Sequence, residues 1–133
     1  MKLKVLLLIS FLMIFSCFAS SAQQQEEQPD IFEQAEMEAD RLQRVLDLED
    51  WQVFYVDSTL KANFFQLQVE LEKLQKAKVT NTDIYQEAKD RCWDEIDRNY
   101  QTWFTPEQWK AYLKTGAAKL QKQRAKRKEQ REN

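Results

Sequence analysis

The side chains that could do chemistry here are carboxylates, hydroxyls and two thiols, and none is set out as a site. The 133 residues include no histidine. That removes the commonest general base and the commonest transition-metal ligand. Adjacent acids occur at Glu26-Glu27, Glu49-Asp50 and Asp94-Glu95-Asp97. Neighbouring acids on a helix point in different directions, and a solvated face with i,i+4 partners accounts for them. Asp57-Ser58-Thr59 places hydroxyls beside an acid, with no histidine or organised lysine nearby, and reads as polar helix surface. The sequence contains no phosphate-cradling loop, nucleophile elbow, zinc spacing or calcium loop. The expectation is a non-catalytic protein with no cofactor, no metal site and no nucleic-acid partner.

The start of the chain reads as an export signal over residues 1–22. Lys2 and Lys4 make a positive end, and Val5 to Phe15 is an almost unbroken apolar run. The run is too short to span a bilayer, which takes about 20 apolar residues. Small residues follow, and Ser20 and Ala22 fit the two pockets of signal peptidase, so cleavage is expected between Ala22 and Gln23. Ile14-Phe15-Ser16-Cys17 is a loose lipobox and offers a lipid anchor at Cys17 as the alternative; a retained N-terminal anchor is the third option. Cleavage would leave a periplasmic or secreted chain. Cys92 would then be its one cysteine, with no internal disulfide. It reads as a buried small apolar residue, with an intermolecular disulfide as the sharper alternative.

Composition favours helix. One Gly and two Pro leave too few turn residues for an all-β chain. Glu, Gln, Lys, Leu and Ala are abundant. Residues 23–30 are a polar leader, expected to be disordered. A helical domain is expected over 31–120, with four helices near 31–47, 49–78, 80–102 and 105–120 and very short connections. Residues 47–49 could be only a kink in one long helix. In the first helix Ile31, Ala35, Ala39, Leu42 and Leu46 share a face. In the second, Val53, Val56, Leu60, Phe64, Leu67, Leu71 and Leu74 form a coiled-coil-like seam. Thr80 and Asp83 resemble a capping box for the third, with Val79 stapled to Ile84. Ile84, Ala88, Cys92, Ile96 and Tyr100 then repeat every four residues.

The fourth start is the clearest local signal. Thr105 is the N-cap, Pro106 takes the first helical position, and Gln108 can close a capping box. Phe104 and Trp109 have staple spacing. Residues 121–133 carry Ala125 as their sole apolar residue and read as a basic tail, either a frayed helical extension or disordered. Charge is divided sharply. Residues 23–113 hold 20 acids and 10 bases, a net of −10. Residues 114–133 hold 8 bases and 2 acids, a net of +6. Such a tail could bind an anionic envelope surface or one dedicated partner, the mark of a structural or adaptor protein.

Trp51, Phe54, Tyr55, Phe65 and Val69 lie off the seam of the second helix, which is therefore apolar around much of its girth. Such a helix must be covered on two sides, by its own domain or by a partner. Trp51, Phe54, Phe64 and Phe65 are the candidate surface for protein clients or for a second copy in a homodimer.

Two segments resemble the LTxxQ motif of the Spy/CpxP family of periplasmic helical proteins. Phe104-Thr105-Pro106-Glu107-Gln108 matches with Phe in place of Leu; Leu48-Glu49-Asp50-Trp51-Gln52 keeps Leu and Gln with Glu in place of Thr. The resemblance implies a helical-hairpin cradle formed by an antiparallel dimer. It also implies ATP-independent chaperone or envelope-stress adaptor activity. The acidic body departs from the positively charged concave face that the family implies.

Overall fold

The computed structural model describes residues 30–133. The expected export signal, Cys17, the Ala22–Gln23 cleavage point and the leader through residue 29 lie outside them. Among the described residues the fold is all-α, with no strand. No helix among them is long and apolar enough to cross a membrane.

Helix α1 (Ile31–Leu46) starts at Asp30, whose carboxylate accepts the N–H of Phe32 at 3.4 Å. It buries Ala35, Ala39, Leu42 and Leu46, the face expected from their spacing. With no glycine available, Asp47 takes the left-handed turn that ends it, at φ 52°, and the N–H of Leu48 closes onto the Gln43 carbonyl at 3.2 Å. Residues 47–49 are thus a true break and not a kink.

Helix α2 (Asp50–Lys76) turns its seam inward. Val56 and Leu60 are fully buried, and Val53, Phe64 and Leu67 pack against the core. It ends in a second left-handed residue, Lys78 at φ 55°, with the Val79 N–H on the Leu74 carbonyl at 3.0 Å. Helix α3 (Thr82–Trp103) is capped by Asn81, which accepts the Asp83 N–H at 2.9 Å. The expected Thr80 cap is therefore displaced by one residue. Lys78 and Val79 still complete the previous turn, and Thr80 falls before the helix. Ala88, Cys92, Ile96 and Tyr100 are buried as their four-residue repeat requires, whereas its first member, Ile84, is exposed in the first turn of the helix.

The fourth segment is α4 (Pro106–Tyr112), a π turn at Leu113–Ala117, and α5 (Ala118–Glu132). Gly116 alone breaks the rod, at φ 108°, a conformation that an L side chain rarely adopts. The expected stop near residue 120 does not occur, and helix continues to Glu132.

Cross-pairs give the directions. Gln52 reaches Trp103 and Arg91 reaches Glu70, and Arg124 reaches Asp94 while Arg131 reaches Asp90, so α2 with α3 and α3 with α5 run antiparallel. The short break at residues 47–49, with Lys61 on Glu36, makes α1 and α2 antiparallel as well. Helix α1 lies on α2, α2 on α3, α4 on α1 and α5 on α3. The core sits where α1, α2, α3 and α4 meet, around Leu42, Leu60, Ile96 and Tyr100. Beyond Leu60, no residue of α2 is fully buried. Its far half, with Trp93 of α3 and Ile31 of α1, walls an open groove of about 580 Å³.

Candidate functional site

The two motif-bearing helix starts meet. Gln52 and Gln108, 56 residues apart, exchange amide hydrogen bonds: Gln52 Nε2 donates to Gln108 Oε1 at 2.7 Å, and Gln108 Nε2 donates to Gln52 Oε1 at 3.0 Å. Each oxygen also accepts a backbone N–H from its own helix start, that of Glu49 at 2.9 Å and that of Thr105 at 3.0 Å. Each nitrogen reaches a carbonyl of the other motif's surroundings, Trp103 at 2.9 Å and Asp47 at 3.4 Å. The Thr105 hydroxyl completes its capping box by accepting the Gln108 N–H at 3.2 Å. Both motifs therefore start helices, and they also fasten those starts together. Leu48 is buried beside them, and Phe104 stacks on Tyr100 with centroids 4.9 Å apart. Trp109 packs on Tyr112 at 5.4 Å. The capping role is readable from Thr105 and Gln108 alone. The amide exchange is not, because it needs the turn of α3 into α4 to bring the ends together.

The candidate binding aromatics divide between two faces. Trp51, Phe54 and Phe65 are exposed at 49, 66 and 53 % and, with Tyr55, form a stripe on the outer side of α2. From Trp51 to Val69 the stripe runs about 27 Å at the helical rise. At its motif end the rings form a connected surface: Trp51 meets Tyr55 at 6.2 Å, Phe54 meets Tyr55 at 5.6 Å, and Tyr55 lies 5.1 Å from Trp103 of α3. The Trp51 indole N–H donates to Glu49 at 2.6 Å, which fixes that ring. Phe64 does not join them. It points inward, edge-on to Trp93 at 5.8 Å, because it belongs to the seam.

A third constellation departs from the sequence expectation. Asp94-Glu95-Asp97 reads as a solvated face and residues 121–133 as a frayed or disordered tail, yet the two pack together. Arg124 bonds Asp94 at 2.7 Å and also Asp97; Arg127 takes Asp90 with two nitrogens at 2.9 and 2.7 Å; Arg131 adds a contact at 3.4 Å. Tyr112 donates its hydroxyl to Asp97 at 2.6 Å, and Gln121 donates to the same carboxylate at 3.1 Å. Asp90, Asp97 and Arg124 are buried. The hydrogen bond from Arg127 holds Asp90 below the ordinary carboxylate value, against the opposing effect of burial. Burial and the Asp97 hydrogen bond push the Tyr112 phenol far up. The signal is present in the spacing: Asp90, Asp94 and Asp97 step by four and three, and Arg124, Arg127 and Arg131 by three and four, a match for antiparallel helices.

Cys92 is buried, its thiol directed to the Asn63 carbonyl at 3.7 Å, and burial pushes its pKa up to about 11. Among the described residues no cluster of three His, Cys, Asp or Glu is arranged to hold a metal ion. No protein-family model, curated protein or solved structure matches the chain.

Proposed function

We propose that this is an exported helical binding protein of chaperone type, holding apolar segments of protein clients without ATP. Large exposed apolar patches on soluble proteins mark interaction surfaces. The outer stripe of α2, with Trp51, Phe54, Tyr55 and Phe65 in solvent, is the observation that carries this proposal. Its motif end, with Trp51, Phe54 and Tyr55, stands on the half of α2 whose other side is buried at Val56 and Leu60 in the core. The likeness of the two motif segments to the Spy/CpxP family points the same way, as does the signal-like N-terminus, which would deliver the chain to the periplasm or beyond. An ATP-independent envelope-stress adaptor is the neighbouring form of the same proposal.

The test is suppression of aggregation. The chain without residues 1–22 should slow aggregation of a denatured reporter in the absence of nucleotide. Phe54→Ser with Phe65→Ser should keep the helical circular dichroism signal and lose that effect, because both rings are exposed. No protection by the wild type at several-fold molar excess would end the proposal. The same stripe is where a second copy would join. A homodimer through it should become a folded monomer in the double variant, and sedimentation of the wild type as a monomer at tens of micromolar, roughly the range that reveals a dimer of ordinary affinity, would remove that part.

A further inference from the structure

Helix α5 is attached to the body in an unusual way. From Ala118 to Glu132 its apolar side chains beyond alanine reduce to Leu120, which is 56 % exposed. No apolar side chain of α5 is buried; the one buried residue is Arg124. What holds the helix is the row of Arg124, Arg127 and Arg131 on Asp90, Asp94 and Asp97, with Gln121 beside it. The hydrophobic effect, which fastens α1 to α4, is nearly absent here. With no apolar contact to hold it, the attachment can be displaced where a ligand offers the arginines oxygen acceptors equivalent to those of the carboxylates, with Asp94, Arg127 and Arg131 the partners open to solvent.

Most of the basic residues are sorted by type around the helix, the exception being Lys128, which lines a pocket on the α3 side with Asp90, Asp94 and Arg131. Arginines face α3, while Lys119, Lys122 and Lys126, at steps of three and four, are exposed on the opposite side. Guanidinium forks bind carboxylate or phosphate with two parallel bonds; lysine acts as a solvated point charge. Between α4 and α5 stands Gly116, whose φ of 108° is the sole break in the rod and around which a Cβ would meet nothing within 4 Å. Glycine reaches helical φ as readily as this one, so one residue can swing α5 away.

We propose that α5 is a releasable strap, and that an anionic lipid surface takes it from α3, lipid phosphates replacing the aspartate row as ligands of Arg124, Arg127 and Arg131. The outer lysines meet the surface while the strap is closed. Release then presents cations around the whole girth of α5. On release α5 can turn its arginine face to the bilayer, where phosphates accept the paired guanidinium bonds that the carboxylates had taken, and the lack of an apolar stripe lets the helix lie on the surface without inserting. The aspartates act as an internal stand-in for the ligand, and closure lowers the apparent affinity by the fraction of open strap. The proposal concerns a different surface from the α2 stripe and does not depend on chaperone activity.

The core formed by α1 to α4 is built from residues 35–117, so the experiment uses the chain without residues 1–22, sedimented with phosphatidylcholine vesicles with or without phosphatidylglycerol. The wild type should bind only the anionic vesicles. Asp90→Asn, Asp94→Asn and Asp97→Asn together should tighten binding by about five-fold or more. A charge-matched control, Glu33→Gln, Asp40→Asn and Glu72→Gln, should tighten it far less. Arg124→Gln, Arg127→Gln and Arg131→Gln should weaken binding below the wild type. Equal binding by the aspartate variant and the wild type would mean that the outer lysines suffice, and would overturn strap release. Equal binding by the aspartate variant and its control would reduce the effect to net charge and would overturn strap release as well. Binding of soluble polyphosphate without binding to vesicles would refute the lipid surface. If the triple aspartate variant loses its helical signal, Asp94→Asn alone replaces it, since that side chain is 48 % exposed. It should tighten binding in the same direction by less, and no change would overturn the proposal.

Discussion

Replacing the motif glutamines singly and together should show that the two helix starts form one unit. Gln52 is 2 % exposed. Its amide bonds the Glu49 N–H, the Trp103 carbonyl and, twice, the Gln108 amide. Gln52→Ala removes all four and leaves the partners in a region partly reached by water. At about 0.5–1.5 kcal/mol for each net bond, and more for a group left without a partner, the loss is roughly 3 kcal/mol. For a domain of this size that lowers the melting temperature by roughly 12–24 °C. Gln108→Ala removes the same two shared bonds together with those to Thr105 and Asp47. Because the shared bonds are lost only once, the double variant should be less destabilised than the sum, by about 1–2 kcal/mol. Urea unfolding of all four proteins, followed by far-ultraviolet circular dichroism, measures this. Additivity within about 0.5 kcal/mol would refute the claim that the amides hold the motifs together.

The two buried tyrosines should respond oppositely to loss of the hydroxyl. That of Tyr100 has no partner among the described residues, so Tyr100→Phe should stabilise the fold by about 1 kcal/mol, whereas Tyr112→Phe deprives Asp97 of its donor and should cost about 1–3 kcal/mol in the same urea assay. Cys92 should react with a thiol reagent far more slowly than a free cysteine, since burial raises its pKa to about 11 and hides the sulfur; urea at the unfolding midpoint should restore the rate. Asp90 sets an acid limit. Its folded pKa is lowered by Arg127, so the unfolded chain takes up the proton first as pH falls. Its contribution is complete above the ordinary value of about 3.9 and is lost as pH drops through the folded value. The stability gap between wild type and Asp90→Asn should therefore be constant near neutrality and close in acid.

Much of the helix pattern is legible in the sequence because each interior face repeats at helical spacing. The Ala35–Leu46 face and the Ala88–Tyr100 repeat are buried as that spacing requires. The ends are less legible. Asp47 and Lys78 take the left-handed turns that glycine usually supplies, so no residue type marks them. Residues 121–133 mislead for a physical reason: without apolar side chains they lack the signal on which helix docking is usually read, and their docking is ionic. The outer aromatics are recognisable as surplus to one interior face. Phe64 groups with them by type, although its place on the seam already assigns it inward.

The connectivity of the paired glutamines also sets an order of assembly. Helices α1, α2 and α3 are joined by short turns, so each hairpin closes a small loop and can form quickly. The contact from Gln108 to the Asp47 carbonyl spans 61 residues and has no docking surface until both hairpins exist. Damage to that closure should therefore leave the refolding rate nearly unchanged and appear as faster unfolding. The motif pair is therefore expected to act as the clasp of the α1–α4 core, fastened after the hairpins it joins.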